Sequence, residues 1–253
     1  MPSEVFTQND VCFVFPRNRS SNPYLWANTK ALVAASSFWR SMFETAEMEE
    51  STNLLPGESN LDSAYRAELK KVLADARKTV EPVDDIMVDS DAEGEAGAVE
   101  AGSDATASDT AVIRYVVVKD VPRQTYKAVL DYISTGKISF ATLSSTRGSK
   151  VEDLPSPKSI YRFAHEFDLD SLRKLALAAF TGQLGAANVL QELFSPTCYF
   201  YDELQEAALT VAVRKWQGIR GSEIFEKIME KVESGSTDSK EAAAVALKLL
   251  KRV

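Results

Sequence analysis

Residues 24–51, YLWANTKALVAASSFWRSMFETAEMEES, decide how the fold is read. Tyr24-Leu25-Trp26-Ala27 is a short apolar strand, and Asn28-Thr29 turns the chain out of it. From about Thr29 to Phe43 the apolar residues Leu32, Ala35, Trp39, Met42 and Phe43 recur at helical spacing, which predicts one helix with one buried face. The stretch leaves through ETAEMEES, where Met48 stands among Glu47, Glu49 and Glu50. Nothing here has the residue types of a catalytic site. The stretch reads as a core helix that runs out to a protein-contacting edge.

Upstream, residues 11–15 (VCFVF) form an apolar, β-branched and aromatic run that predicts a buried strand. PRNRSSNP follows between Pro16 and Pro23 and predicts a turn, so that 11–15 and 24–27 make a hairpin. Downstream, residues 62–79 predict an amphipathic helix through Tyr65, Leu69, Val72, Leu73 and Ala76. Residues 81–110 are acidic, rich in Ala, Gly and Ser and nearly free of aromatics, a composition that predicts disorder because it offers little to bury. Order is predicted to resume at strand Val112–Val118. A helix follows with Pro122 in its first turn, core positions Tyr126, Val129, Leu130 and Ile133, and Gly136 as its C-terminal cap. Ile138–Phe140 reads as a short extended piece and residues 142–157 as a loop.

From Pro157 onward the chain predicts helices. Ile160, Phe163, Ala164 and Phe167 share a face, and Asp168 is placed as the N-cap of a helix whose core positions are Leu172, Leu175, Ala176 and Ala179. Val189, Leu190, Leu193 and Phe194, then Leu204, Ala207, Ala208 and Val211, then Ile224, Phe225, Ile228 and Val232 mark further helices. SKEAAAVALKLLKRV closes the series, with basic residues at the end favoured by the macrodipole. The fold class read from this order is α+β, followed by an all-α extension.

The chain has 253 residues and a net charge of −8. Residues 81–110 hold ten of the 37 acidic residues and none of the 29 basic ones, so the remainder is close to neutral. No basic stripe suggests nucleic-acid binding, and no apolar run reaches the roughly 20 residues a membrane helix needs. The first ten residues show neither the basic start nor the apolar run of a secretory signal. A reducing compartment, cytoplasm or nucleus, is expected, with Cys12 and Cys198 as thiols. With one histidine, His165, sites built on several histidines are excluded, and a hydrolytic triad would have to use a residue that sits among Phe163 and Phe167. Tyr199-Phe200-Tyr201 reads as core at a helix start, and both cysteines as packing residues. No catalytic residue, cofactor or metal is expected.

Several patches in this order resemble the BTB/POZ family: Asp10-Val11 opening the first strand, YLWANTKALVAASSFWRSMF as hairpin and first helical pair, and VVVKDVPRQTYKAVLDYI as third strand and following helix. SPKSIYRFAHEFDLDSLRKLALAAFTGQLGAANVLQELFSP resembles the last helices of that fold running into an extension of the BACK type. The resemblance implies a first unit in two parts, residues 1–52 and 111–180. It also implies an insertion over 53–110 and a helical extension over 181–253. It implies a non-enzymatic adaptor linking an unidentified client to a cullin-type ubiquitin-ligase scaffold. An assembly or transcription-linked scaffold that meets no cullin remains the alternative.

In cullin-binding members an apolar residue, any residue and a glutamate follow the first helical pair. Met48-Glu49-Glu50 matches, with Met48 as plug, Glu50 as polar anchor and Phe43 at the helix end behind them. The same letters also read as a solvated acidic helix end, and both readings stay open. The family's charged pocket would pair Asp10 with Lys30, although Lys30 lies one position late and Asn28 replaces a frequent histidine. Dimeric members carry an extra N-terminal helix; only nine residues precede Asp10 here, so a monomer or weak homodimer is expected.

Overall fold

Strand β1, Val11–Val14, is buried at every position, which is why it reads as a continuous apolar run rather than an alternating one. The structure is a computed structural model that describes residues 9–16, 23–44, 70–75, 114–118, 120–147, 154–233 and 239–253. β1 is the middle of a three-stranded sheet of order β2-β1-β3. It pairs antiparallel with β2 (Tyr24–Ala27), Val11 opposite Ala27, and parallel with β3 (Arg114–Val117), Val11 opposite Arg114. Successive side chains point to opposite faces. Val11 and Phe13 enter the main core, while Cys12 and Val14 meet Leu73 from helical residues 70–75 (α3). Of the helix expected over 62–79, only those six residues are described, with Val72 half-buried and Leu73 buried.

The single helix expected from Thr29 to Phe43 is two helices, α1 (Thr29–Ala35) and α2 (Ser37–Glu44). Ser36 breaks it with an extended backbone, φ −147° and ψ 135°. Its N–H donates to Leu32 O at 3.1 Å and closes α1, while its Oγ accepts the Trp39 N–H at 3.3 Å and opens α2. Serine is a strong N-cap because its short hydroxyl satisfies an orphan donor of the first turn. The break also explains why Ala35 is exposed although the continuous periodicity put it in the core.

Helix α4 (Arg123–Thr135) lies against β2, α1 and α6. Pro122 is its capping residue rather than part of its first turn. Tyr126 and Val129 are buried, and Leu130 and Ile133 half-buried, as the period requires. Gly136 ends it at φ 69°, a left-handed conformation that glycine adopts without a Cβ clash, and its N–H reaches Tyr132 O at 2.7 Å. Residues 138–140 form no strand. Inside the expected loop lies a single helical turn, α5 (Ser144–Arg147). It is held in place by the buried Ala141 and Leu143, whose backbone exchanges hydrogen bonds with the Gln183 amide at 3.0 and 2.7 Å.

The helices that follow are α6 (Pro157–Glu166), α7 (Asp170–Gln183), α8 (Val189–Leu193), α9 (Pro196–Phe200), α10 (Asp202–Arg214), α11 (Trp216–Ile219), α12 (Glu223–Glu233) and α13 (Ser239–Leu250). The α6 face is as expected, with Ile160, Phe163 and Ala164 buried and Phe167 half-buried. Asp168 is not the N-cap of α7. Leu169 holds that place, and Asp168 sits at φ 53° in the tight α6–α7 turn. The buried face of α7 runs Leu172, Ala176, Phe180, so Leu175, expected in the core, is 45% exposed. Ile224 is likewise exposed. Among the described residues the architecture is thus α+β, mostly helical with one small sheet. Among the described residues no helix is long and apolar enough to cross a membrane.

Candidate protein-interaction surface

The entry to α1 is held by two acceptors. Asn28 Oδ1 takes the Ala31 N–H at 3.2 Å, and Asp10 Oδ1 takes the Thr29 N–H at 2.6 Å. The Asp10 N–H donates to Ala27 O at 3.1 Å, so Asp10 fastens the end of the hairpin to the start of the helix. The expected pocket between Asp10 and Lys30 does not form. Lys30 is exposed, no ion pair joins the two, and the carboxylate instead satisfies a free N–H of the first turn, where the helix dipole favours negative charge. Beside them lies a groove of about 610 Å³ between β2, α1 and α4. Trp26, Ala31, Ala34, Ala35, Leu130 and Ile133 line it together with asparagine and serine side chains, and among the described residues no charged side chain does.

Helix α2 is locked at its start. Ser36 Oγ donates to Phe167 O, and Ser37 Oγ to Asp168 Oδ2 at 2.7 Å, so the α1–α2 junction is stitched to the α6–α7 turn. Trp39 is fully buried against Phe163 and Phe167, at ring separations of 6.1 and 5.4 Å. Phe38 packs edge-on against Phe167 at 4.7 Å and is 37% exposed. These rings continue to Tyr126, which lies 4.5 Å from Phe13 and 5.0 Å from Phe163; burial holds its phenol far above the ordinary value, as a neutral group. Phe43, expected as a contact residue, is half-buried and packed against this core together with Met42. Met48 and Glu50 lie outside the described residues.

The titratable groups singled out in the sequence do not gather into a reactive site. Exposed His165 stacks on Tyr161, with ring centroids 6.2 Å apart and planes at 6°, and meets Tyr201 edge-on at 5.4 Å. Below the rings, the Tyr161 hydroxyl donates to Glu203 Oε2 at 2.9 Å, and Arg173 donates to the same oxygen at 2.7 Å and to Asp170 at 3.2 Å. Burial and the Glu203 carboxylate push the Tyr161 phenol up to about 12. The Tyr161 hydroxyl, then Arg173, lower the Glu203 carboxyl below its ordinary value. Cys12 and Cys198 are buried, and neither is in a disulfide. Among the described residues no group of three or more His, Cys, Asp or Glu is placed to hold a metal ion. The aromatic run read as core is split: Tyr199 and Tyr201 are half-buried, while Phe200 is 67% exposed.

Sequence reasoning missed a buried polar cluster joining α5, α6, α7 and α8. Lys158 Nζ lies 2.9 Å from Glu192 Oε2, with side chains only 1% and 2% exposed. Ser145 Oγ donates to Glu192 Oε1. Asn188 Nδ2 donates to Thr146 Oγ1 at 2.8 Å and Gln183 O at 3.1 Å, and Asn188 Oδ1 accepts the Gly185 N–H at 2.7 Å. No local signal marks these residues: Lys158 and Glu192 look like ordinary helix-surface charges until the helices are assembled. A scan against known family models finds no match to this chain, and a search of curated proteins finds none either.

Proposed function

We propose that this chain is a non-enzymatic adaptor of the BTB/POZ type, its helical extension resembling the BACK type, which contacts a cullin-type scaffold through the segment beyond α2. The observation that supports this most is how α2 is anchored. Trp39, Ser36 and Ser37 fix it to the α6–α7 turn, so the chain leaves Glu44 at the surface from a firm base, four residues before Met48. The order of hairpin, broken helical pair, parallel third strand and following helix agrees with the patches that carry the resemblance. An adjustable thioether plug beside a carboxylate suits a groove with a basic rim. Such an adaptor would act in the cytoplasm or nucleus. The test is recovery of a cullin N-terminal domain by the wild type and by Met48→Asp with Glu50→Ala. Loss of recovery is expected; equal recovery overturns the reading.

A second reading, an assembly or transcription-linked scaffold that binds no cullin, draws on the uncharged groove between β2, α1 and α4. That groove would give the molecule a docking surface that uses no residue of the 48–50 segment. Absence of any cullin binding by the wild type favours this second reading.

A further inference from the structure

Three of the nine large apolar side chains exposed among the described residues fall within the last seven positions of the chain: Leu247 at 54%, Leu250 at 46% and Val253 at 50%. Scattered apolar exposure is ordinary; here Leu247 and Leu250 lie one turn apart on α13 and Val253 follows it. Helix α13 already spends one face on the fold, with Ala242, Val245, Ala246 and Leu249 buried. At 100° per residue, Ala243, Leu247 and Leu250 make a second apolar strip that flanks the buried face. Lys240 and Lys251, both exposed, border that strip on the side away from the core, one near either end. Lys251 continues the last turn through its N–H to Leu247 O at 3.1 Å. The neighbouring cations are engaged with the fold: Arg252 forks onto Glu206 at 2.6 and 3.0 Å, and Lys248 Nζ donates to Gln205.

We propose that this face of α13 is a docking site for an acidic amphipathic helix of another protein, a client segment. Its leucine-type side chains would cover Leu247 and Leu250, and its carboxylates would meet Lys240 and Lys251. The two lysines are eleven residues apart, about 16 Å along the axis at about 1.5 Å per residue, so the partner's carboxylates fall about three turns apart. A second copy of this chain docked face to face would set lysine against lysine, which disfavours self-association. Two leucines and one half-buried alanine are a small apolar set for a helix lying in a bilayer surface, which favours the peptide over a membrane. The site uses no residue of the α2 edge, and its test is independent of cullin binding.

The probe is a synthetic helical peptide with glutamates eleven residues apart and leucines between them on the same face, titrated into the full chain and read by fluorescence anisotropy. Saturable binding is expected. It weakens about tenfold or more in Leu247→Glu with Leu250→Glu. It also weakens about threefold or more on raising salt from about 50 to about 500 mM. Lys240→Glu with Lys251→Glu should switch the preference to the matching lysine peptide. Unchanged far-UV circular dichroism of these surface variants shows that the fold persists. Four outcomes overturn the proposal: equal binding of a scrambled peptide, no effect of either double variant, concentration-dependent self-association through this face, or binding only to anionic phosphatidylserine vesicles.

Discussion

The Lys158–Glu192 pair makes the sharpest demand on the packing of the helices. At 2.9 Å, and with an effective dielectric constant of about 20, the Coulomb attraction is about 6 kcal/mol, most of which desolvation of two nearly inaccessible charges offsets. The net worth of the pair is therefore small while the cost of halving it is large. Lys158→Met leaves a carboxylate buried with the Ser145 hydroxyl beside it, and Glu192→Leu leaves a buried ammonium; each single change should destabilise by about 3–5 kcal/mol. The double variant, which puts apolar volume in both places, should lie within about 1 kcal/mol of the wild type. Urea unfolding followed by circular dichroism measures all four corners of this cycle. Each single variant should also melt lower, by about 2–4 °C per kcal/mol for a chain of this size. Two small, additive single effects, each under about 1 kcal/mol, would refute the reasoning, because they would mean that water reaches the pair.

Two further expectations concern the α1 entry and the acid limb of stability. Asp10→Ala should cost about 1–2 kcal/mol by freeing the Thr29 N–H, while Lys30→Ala should change denaturant stability by almost nothing. The Tyr161 hydroxyl and Arg173 hold the folded-state Glu203 carboxyl below its ordinary value of 4.5, and Arg252 does the same for Glu206. A depressed folded value contributes stability that is present above 4.5 and is lost as pH falls through the lowered folded value. Melting temperature should therefore fall between pH 4.5 and lower pH in the wild type, and fall less steeply in Glu203→Gln. A parallel slope in the two proteins would count against the pairing.

What could be read beforehand was local. The β1 and β2 runs, the α4 period and the Gly136 stop are each set by neighbours within a few residues, and periodicity reports those. Ser36 was also a local signal, an N-cap residue inside a helical pattern, but unbroken apolar spacing on both sides concealed it. The position of Asp168 was not legible, because its left-handed turn is coupled to Ser37, 131 residues away. The exposure of Leu175 follows from α7 turning its Leu172–Ala176–Phe180 line to the core, which a choice among equally apolar positions does not reveal. In the candidate surface, Phe43, expected as a contact residue, lies on α2 half-buried and packed against the core. Asp10 was expected to pair with Lys30, but its carboxylate accepts a backbone N–H instead.

The central position of β1 has a consequence for the birth of the chain. Its antiparallel neighbour β2 follows within a dozen residues, but its parallel neighbour begins at Arg114, about a hundred residues later. At about 5–20 residues per second, a ribosome needs on the order of 5–20 s to deliver β3 after β1 has emerged. During that interval the hairpin carries an unpaired edge of Val11-Cys12-Phe13-Val14, an uncharged β-rich run of the kind that recruits other strands. Non-local parallel pairing is also the slow kind to close. Yield in a cell should depend on how well that edge is guarded before Arg114–Val117 arrives, which makes the early hairpin a natural client of a chaperone.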